Sequence, residues 1–388
     1  MLKVSLIGIG NCGNQIAALA KKQGGINVAC INTSENDIAT LPAEVQDDCY
    51  LVGDSQGSGK DRTEAKKFLK SSVMSLVADE RFKAQVADSD AIFIVSSTGG
   101  GTGSGMAPLM ASIIRQSFRN KDEEKSEKIV ILVGVLPKLT EGLSTQVNTK
   151  GYMHELFDVL EDQKYMMYDN NKYAKESAPV IIQKINEEVV RDIKILQLAF
   201  NTPTPYDSID EKDMKAILKT PGLIGMASSF NIKEKDLDVK TLEDLIIEQL
   251  KSNGHAELQR DGIVGNTGLI VSLSEKLNAT FDTNIKAVRN FIGEPVEEFL
   301  HIAVNKDRDM PNNIMFIASG LSNPVDRLDK INERIDEINK KQEEQEKSKR
   351  NAVINEDEIS VLNEKRKRPG STAGESVDLT ATFGKFGV

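Results

Sequence analysis

The chain is poor in the residues that most often betray chemistry. Across 388 residues it has no tryptophan, three cysteines and three histidines. Cys12, Cys30 and Cys49 are odd in number and widely spaced, which fits neither a disulfide framework nor a zinc pattern and points to a reducing cytoplasm. His154, His255 and His301 stand too far apart for a local metal site, and no metal-ligating set is expected from side chains alone. No apolar run approaches the ~20 residues that span a bilayer, so no membrane insertion is expected. The opening "MLKVSLIGIG" reads as a strand and a glycine turn rather than a signal peptide. Positive charge is short too: 49 Lys and Arg stand against 59 Asp and Glu, a net charge of −10. Broad, direct binding of nucleic acid needs clustered cations, so any such role calls for an adaptor.

What is present suits a globular chain: 39% hydrophobic and 28% charged residues, a mix that leaves room only for local disorder. At roughly 150 residues per domain, the length predicts two or three domains. The first half alternates strand-like and helix-like segments, from "KVSLIGI" and "CGNQIAALAKK" through "AIFIVSS" and "MAPLMASIIRQSF" to "KIVILVGVLP". That order predicts a doubly wound, mainly parallel α/β domain over 1–171, with its ligand at the carboxyl ends of the strands. A long helix is expected over 172–200, where Ile181, Ile185, Val189, Ile193 and Leu196 recur at helical spacing. A smaller α+β domain follows over 201–323, with strands at "GLIVSLS", "EFLHIAVN" and "NIMFIASG". Residues 324–350 predict a C-terminal helix that starts docked and ends in solvent, and 351–388 a flexible tail.

Three glycine-rich loops carry the functional signal. "GIGNCGNQ" satisfies G-x-G-x-x-G between a strand and a helix, which suits either a dinucleotide site or a plain tight turn. The dinucleotide reading expects an acid about 20 residues on, where this chain has Asn32 and Thr33. "GDSQGSGKDR" fails as a Walker A motif, because Asp54 replaces the first glycine and Asp61 follows Lys60. The third loop, "SSTGGGTGSGMAP", places Gly99, Gly100, Gly101, Gly103 and Gly105 directly after an apolar strand. Bare backbone lets N–H groups converge on an anion, the following helix adds its positive end, and Thr98, Thr102 and Ser104 add hydroxyls. Phosphate binding is the expected use.

"GGGTGSG" at 99–105 together with "GNCGNQI" at 10–16 resembles the tubulin and FtsZ superfamily, over roughly residues 1–325. The resemblance implies GTP or GDP with Mg²⁺ in the first domain. It implies nucleotide contacts from Gly10, Asn11, Cys12 and Asn14, from Gly57, Ser58, Gly59 and Lys60 beside the γ-phosphate, and from Thr98 to Ser104 around the phosphates, with Asn32 and Thr33 near the nucleotide. Glu141 is implied at the ribose, with Thr145 where FtsZ proteins carry an arginine. Asn170 and Asn186 are implied at the guanine, with Ile182 packing on the ring; an amide suits that edge because it both donates and accepts.

In "PYDSIDEKDMKAIL", Asp210 and Asp213 match the two acids of the superfamily's catalytic loop, while Ser208 replaces its Asn. Carboxylates at this spacing can orient an attacking water, or can simply cap a helix. In the superfamily this loop completes the nucleotide site of the next subunit, so hydrolysis is tied to head-to-tail filament assembly. "VLPK" and "GSGKDR" resemble the plasmid- and phage-encoded tubulin-like proteins called TubZ, which implies a DNA-positioning filament and a DNA-bound adaptor of the TubR type. In the tail, the basic run Lys365 to Arg368 and the pair Phe383 and Phe386 read either as docking elements or as solvated linker. Three alternatives stay open: an FtsZ-like cell-division filament protein, a non-catalytic tubulin-like scaffold and, more remotely, a NAD-dependent oxidoreductase.

Overall fold

The computed structural model describes residues 2–117, 128–160, 162–198, 208–233, 241–274, 285–305 and 312–351. The most apolar runs form the centre of the sheet. β1 (Val4–Ile9), β4 (Ala91–Ser97) and β5 (Ile129–Leu136) are buried over nearly their whole length. Strands covered by helices on both faces read this way, as continuous rather than alternating apolar sequence.

The chain begins β1, α1 (Gly10–Gln23), β2 (Asn27–Asn32), α2 (Glu35–Ala39), α3 (Ala43–Gln46) and β3 (Cys49–Leu51). It continues through α4 (Arg62–Ala78), α5 (Glu80–Ala87), β4, α6 (Thr102–Ser117), β5, α7 (Leu143–His154), β6 (Lys164–Asp169) and α8 (Ala178–Leu198). The rest comprises α9 (Glu211–Lys219), β7 (Gly222–Ile232), α10 (Leu242–Ser252), β8 (Ile263–Ser274), α11 (Lys286–Ile292), β9 (Glu294–Asn305), β10 (Asn312–Leu321) and α12 (Val325–Asn351). The strands form one sheet in the order β3-β2-β1-β4-β5-β6-β7-β10-β8-β9.

From β3 to β6 all pairings are parallel, as the alternating sequence predicts. β7 joins β6 in parallel through Lys164↔Gly222 and Tyr165↔Leu223, then pairs antiparallel with β10. The strands of both expected regions therefore belong to one ten-stranded sheet. Side-chain alternation divides the core. Ile7, Ile9, Ile92 and Ile94 pack with α4 to α7, whereas Leu6, Phe93 and Val95 pack with α1, α8 and α9.

Several elements differ from the sequence expectation. β3, β6 and β7 are strands it did not mark out. The central helix starts at Ala178, after a short 3-10 turn over Asn170–Tyr173. Pro179 sits in its first turn, where the missing N–H costs nothing. The start of α12 docks through Ile331 and Ile335. Residues 336–388 form a separate unit, whose described part is helical to Asn351 and mostly exposed. The tail, with Lys365 to Arg368, Phe383 and Phe386, lies outside the described residues. Among the described residues no helix is long and apolar enough to cross a membrane.

Candidate functional site

The strand order brings β1, β4 and β5 side by side, and the chain reverses direction across the sheet at the β1/β4 junction. That is where open α/β sheets hold ligands. Each strand leads into a helix at its carboxyl end: α1 starts at Gly10, α6 at Thr102 and α7 at Leu143. Their unsatisfied N–H groups and positive ends favour an anion.

The glycines here serve close approach more than unusual backbone. Gly10 has φ +71°, and a Cβ on it would lie 3.1 Å from the Gly103 nitrogen. None of Gly99, Gly100, Gly101, Gly103 or Gly105 adopts a positive φ. A Cβ on Gly101 would collide with the Ser58 hydroxyl and come within 2.7 Å of the Lys60 Cα. The loop through Gly57, Ser58, Gly59 and Lys60 is thus seated on the glycine-rich loop. Three hydroxyls from three segments meet there: Thr33 and Thr102 at 2.6 Å, and Ser58 and Thr102 at 3.2 Å. From α7, Asn148 donates to the carbonyls of Lys60 (2.9 Å) and Gly99 (3.2 Å), tying both loops together.

Four of the expected contacts are engaged inside the protein. The Thr98 hydroxyl donates to the Val135 carbonyl, and Ser104 donates to the Gly100 carbonyl. Asn32 accepts from the nitrogens of Thr33 and Ser34, shaping the turn after β2. Asn14 is fully buried, with its amide nitrogen facing the carbonyls of Gly8 (2.8 Å) and Ile31 (3.3 Å). These side chains build the loops rather than line the cavity beside them.

That cavity measures about 380 Å³ and is lined by Asn11, Cys12, Glu141, Asn170, Ile182 and Asn186, all expected from the sequence. Ser97, Val135 and Lys138, at the carboxyl ends of β4 and β5, were not singled out, although the strand-end rule points to them. Ile181 and Ile185 extend the apolar wall contributed by α8. Burial pushes the Cys12 thiol up to about 12, so it stays neutral. Glu141 accepts from the Lys138 nitrogen at 2.8 Å and braces the turn after β5. The Asn170 side-chain oxygen is buried without a hydrogen-bond partner. An apolar slot with a few convergent amides suits a flat heterocycle.

Two buried polar groups support this side of the cavity, and the sequence did not reveal either. Asp169, next to Asn170, receives Nε (2.7 Å) and Nη2 (3.1 Å) of Arg327 in the first turn of α12. Arg327 also donates to the Pro137 carbonyl at 2.5 Å. On α8, Asp192 accepts from Tyr168 (2.9 Å) and faces His255 Nε2 (2.8 Å).

The structure does not bring the acidic pair to this cavity. Asp210 caps α9, accepting from the nitrogens of Lys212 and Asp213, while Asp213 accepts from the Asp210 nitrogen at 2.9 Å. The Ile209 nitrogen donates to His301 Nδ1 at 3.2 Å. Lys215 of α9 reaches Asp90 at 2.7 Å, and Asp90 also receives the Lys3 nitrogen. Asp90 immediately precedes β4, whereas the glycine-rich loop follows its last residue, Ser97. Over that strand the two ends are about 20 Å apart. Among the described residues no cluster of three or more His, Cys, Asp or Glu could hold a metal ion.

Residues 3–178 match the family described as Tubulin/FtsZ family, GTPase domain. The chain is 24% identical, over 96% of both sequences, to the tubulin-like protein TubZ of Clostridium botulinum C phage. It is 28% identical to the tubulin-like protein CetZ of Pyrococcus abyssi, over 65% of this chain and 67% of that one. A GTPγS-form protofilament of TubZ from Bacillus thuringiensis serovar israelensis superposes with a TM-score of 0.71 at 18% identity, covering 90% of this chain and 94% of that one.

Proposed function

We propose, from the premise that this chain carries the GTPase domain of the Tubulin/FtsZ family, that its copies assemble head to tail and hydrolyse GTP at the junctions between them. One observation carries this reading. The cavity lies at the carboxyl ends of the parallel strands and Asp210 and Asp213 at the amino ends, on a helix held to Asp90 by Lys215. One chain cannot fold its acids onto its own cavity across about 20 Å of strand. A second copy stacked along the strand direction can supply them.

In this reading the helix ends at Gly10, Thr102 and Leu143 hold the phosphates, Asn170 and Asn186 read the base, and Ile182 packs on it. The unpaired oxygen of Asn170 fits a base donor. Mg²⁺ would be carried mainly by the triphosphate, with the Thr33 and Thr102 hydroxyls as neutral oxygens. The ion supplies charge neutralisation on the phosphates. Asp210 and Asp213 of the neighbouring copy orient water for attack. Identity along nearly the whole of a phage TubZ favours a filament that positions plasmid or phage DNA through a TubR-type adaptor. Cell division in the manner of FtsZ is the alternative job for the same filament.

A second reading has an observation of its own. Both acids are engaged in capping α9, which suits a scaffold that assembles without hydrolysing. GTP turnover across a concentration series, with light scattering in parallel, separates the readings. Turnover that appears only above a critical concentration supports the shared site. Assembly without turnover supports the scaffold, and turnover per molecule independent of concentration overturns both.

A further inference from the structure

The outer edge of the sheet places two cysteines opposite one another. In the parallel β2–β3 pair, Cys30 is the direct register partner of Cys49. Register partners project from the same face, and both cysteines pack against the core cluster that includes α1. Adjacent strands lie about 4.8 Å apart, within the roughly 4.4–6.8 Å between Cα atoms that a disulfide bridges. Both are free thiols.

Their surroundings make them unequal. Cys30 is wholly buried, whereas Cys49 is partly exposed on a three-residue edge strand. The neighbouring Cys30 thiol lowers the Cys49 thiol from its ordinary value, against burial and the Asp48 charge and with a smaller contribution from Lys21, while the Cys49 Sγ–H donates to the Val45 carbonyl at 3.3 Å. The interaction with Cys49, together with burial, pushes the Cys30 thiol up. Lys21 is fixed by its ion pair with Asp48, the residue before Cys49. One thiol is thus accessible at the sheet edge and the other sits buried directly opposite it, the arrangement in which a mixed disulfide on the first can be resolved by the second.

We propose that Cys30 and Cys49 are a dithiol–disulfide pair that low-molecular-weight disulfides oxidise, clamping β3 onto β2. The Cys49 thiolate attacks one sulfur of the small disulfide, forming a mixed disulfide and releasing one thiolate. That thiolate takes the proton of Cys30. Cys30 then attacks the Cys49 sulfur, the bond to the small molecule breaks, and a second thiolate leaves. Two protein thiols are oxidised to one disulfide, and one small disulfide is reduced to two thiols. The clamp would lie just upstream of Thr33 and of the loop 53–60, which are tied to each other by the Gly57 nitrogen donating to the Thr33 carbonyl at 2.8 Å. The inference is independent of the GTPase reading.

The test treats the native full-length protein with oxidised glutathione, quenches with acid, alkylates free thiols under denaturing conditions and maps peptides by mass spectrometry. The expected result is loss of two of the three alkylatable thiols, with the Cys30 and Cys49 peptides joined and the link reversed by dithiothreitol. Cys12→Ser should form the same link, and Cys49→Ser should leave Cys30 unmodified. Three alkylated thiols after native treatment would overturn the proposal. So would a stable glutathione adduct on Cys49 with Cys30 still free, or a link that forms only in denaturant.

Discussion

Both ends of the parallel strands are crowded with polar groups, but they use them differently. At the amino ends the groups satisfy one another: Lys215 bridges Asp90 and Glu211, Lys3 pairs with Asp88, and Asp210 and Asp213 close a reciprocal cap. At the carboxyl ends, helix N-termini gather without acidic partners in their first turns, and the Asn170 oxygen is buried unpaired. Buried polar groups are normally paired, which makes the unpaired Asn170 oxygen beside the cavity a position to test for a ligand contact. A satisfied cluster instead marks a face built to present its groups in fixed geometry.

The largest effect should come from the amino end. Asp210→Ala removes a carboxylate and a cap together, whereas Asp210→Asn keeps the cap, since Asn caps as well as Asp. If the charge acts in hydrolysis, both variants lower phosphate release in assembled protein by about 10²-fold or more while light scattering persists. If capping is the only role, Asp210→Asn turns over like the wild type.

A sharper comparison sets the unpaired Asn170 against a fully satisfied neighbour. Burial acts to raise the Asp192 carboxyl, but the hydrogen bond and charge of His255, the Arg191 charge and the Tyr168 hydroxyl hold it below the ordinary 3.8. A depressed folded value contributes stability that is complete above the ordinary value and is lost as pH falls through the folded one. His255→Phe should cost about 3 kcal/mol in urea unfolding at neutral pH. Its acid-side loss, followed by circular dichroism, should be shallower than that of the wild type.

Gly101→Ala tests whether the two phosphate-side loops must touch. Overpacking of about 1–3 kcal/mol at that contact predicts roughly tenfold weaker binding of a fluorescent GTP analogue. Unchanged affinity would show that the loops can part without loss. Lys215→Ala should give the smallest change, because its ion pairs are partly exposed. Loss of about 1 kcal/mol or less predicts up to about fivefold slower filament turnover with GTP affinity unchanged.

Much of this organisation is legible in the residues. "AIFIV" and "IVILVGVL" are too apolar to lie anywhere but in the buried centre, and the glycine loops that follow mark the ligand end. Asn11, Cys12, Glu141, Asn170, Ile182 and Asn186, all singled out from the sequence, line one cavity. β3 has only three residues, and β7 ends in "SSFNI", polar enough to mask its period; both are strands because of their partners. Local pattern is equally silent on Arg327 and Asp169, which are 158 residues apart, and on His255 and Asp192, which are 63 apart. Asn14 and Asn32 carry the right residue type for a ligand contact, yet the backbone needed their amides first.

The Arg327–Asp169 pair also decides where the chain can be shortened. A fragment ending before Pro324 would strip the buried Asp169 carboxylate, next to Asn170 in sequence, of its Arg327 partner, a loss of about 3–5 kcal/mol. A fragment ending after Ile335 keeps that ion pair and the docked start of α12 intact. For crystallisation or for mapping a partner, the safe cut lies a few turns into the last helix rather than at the end of the last strand.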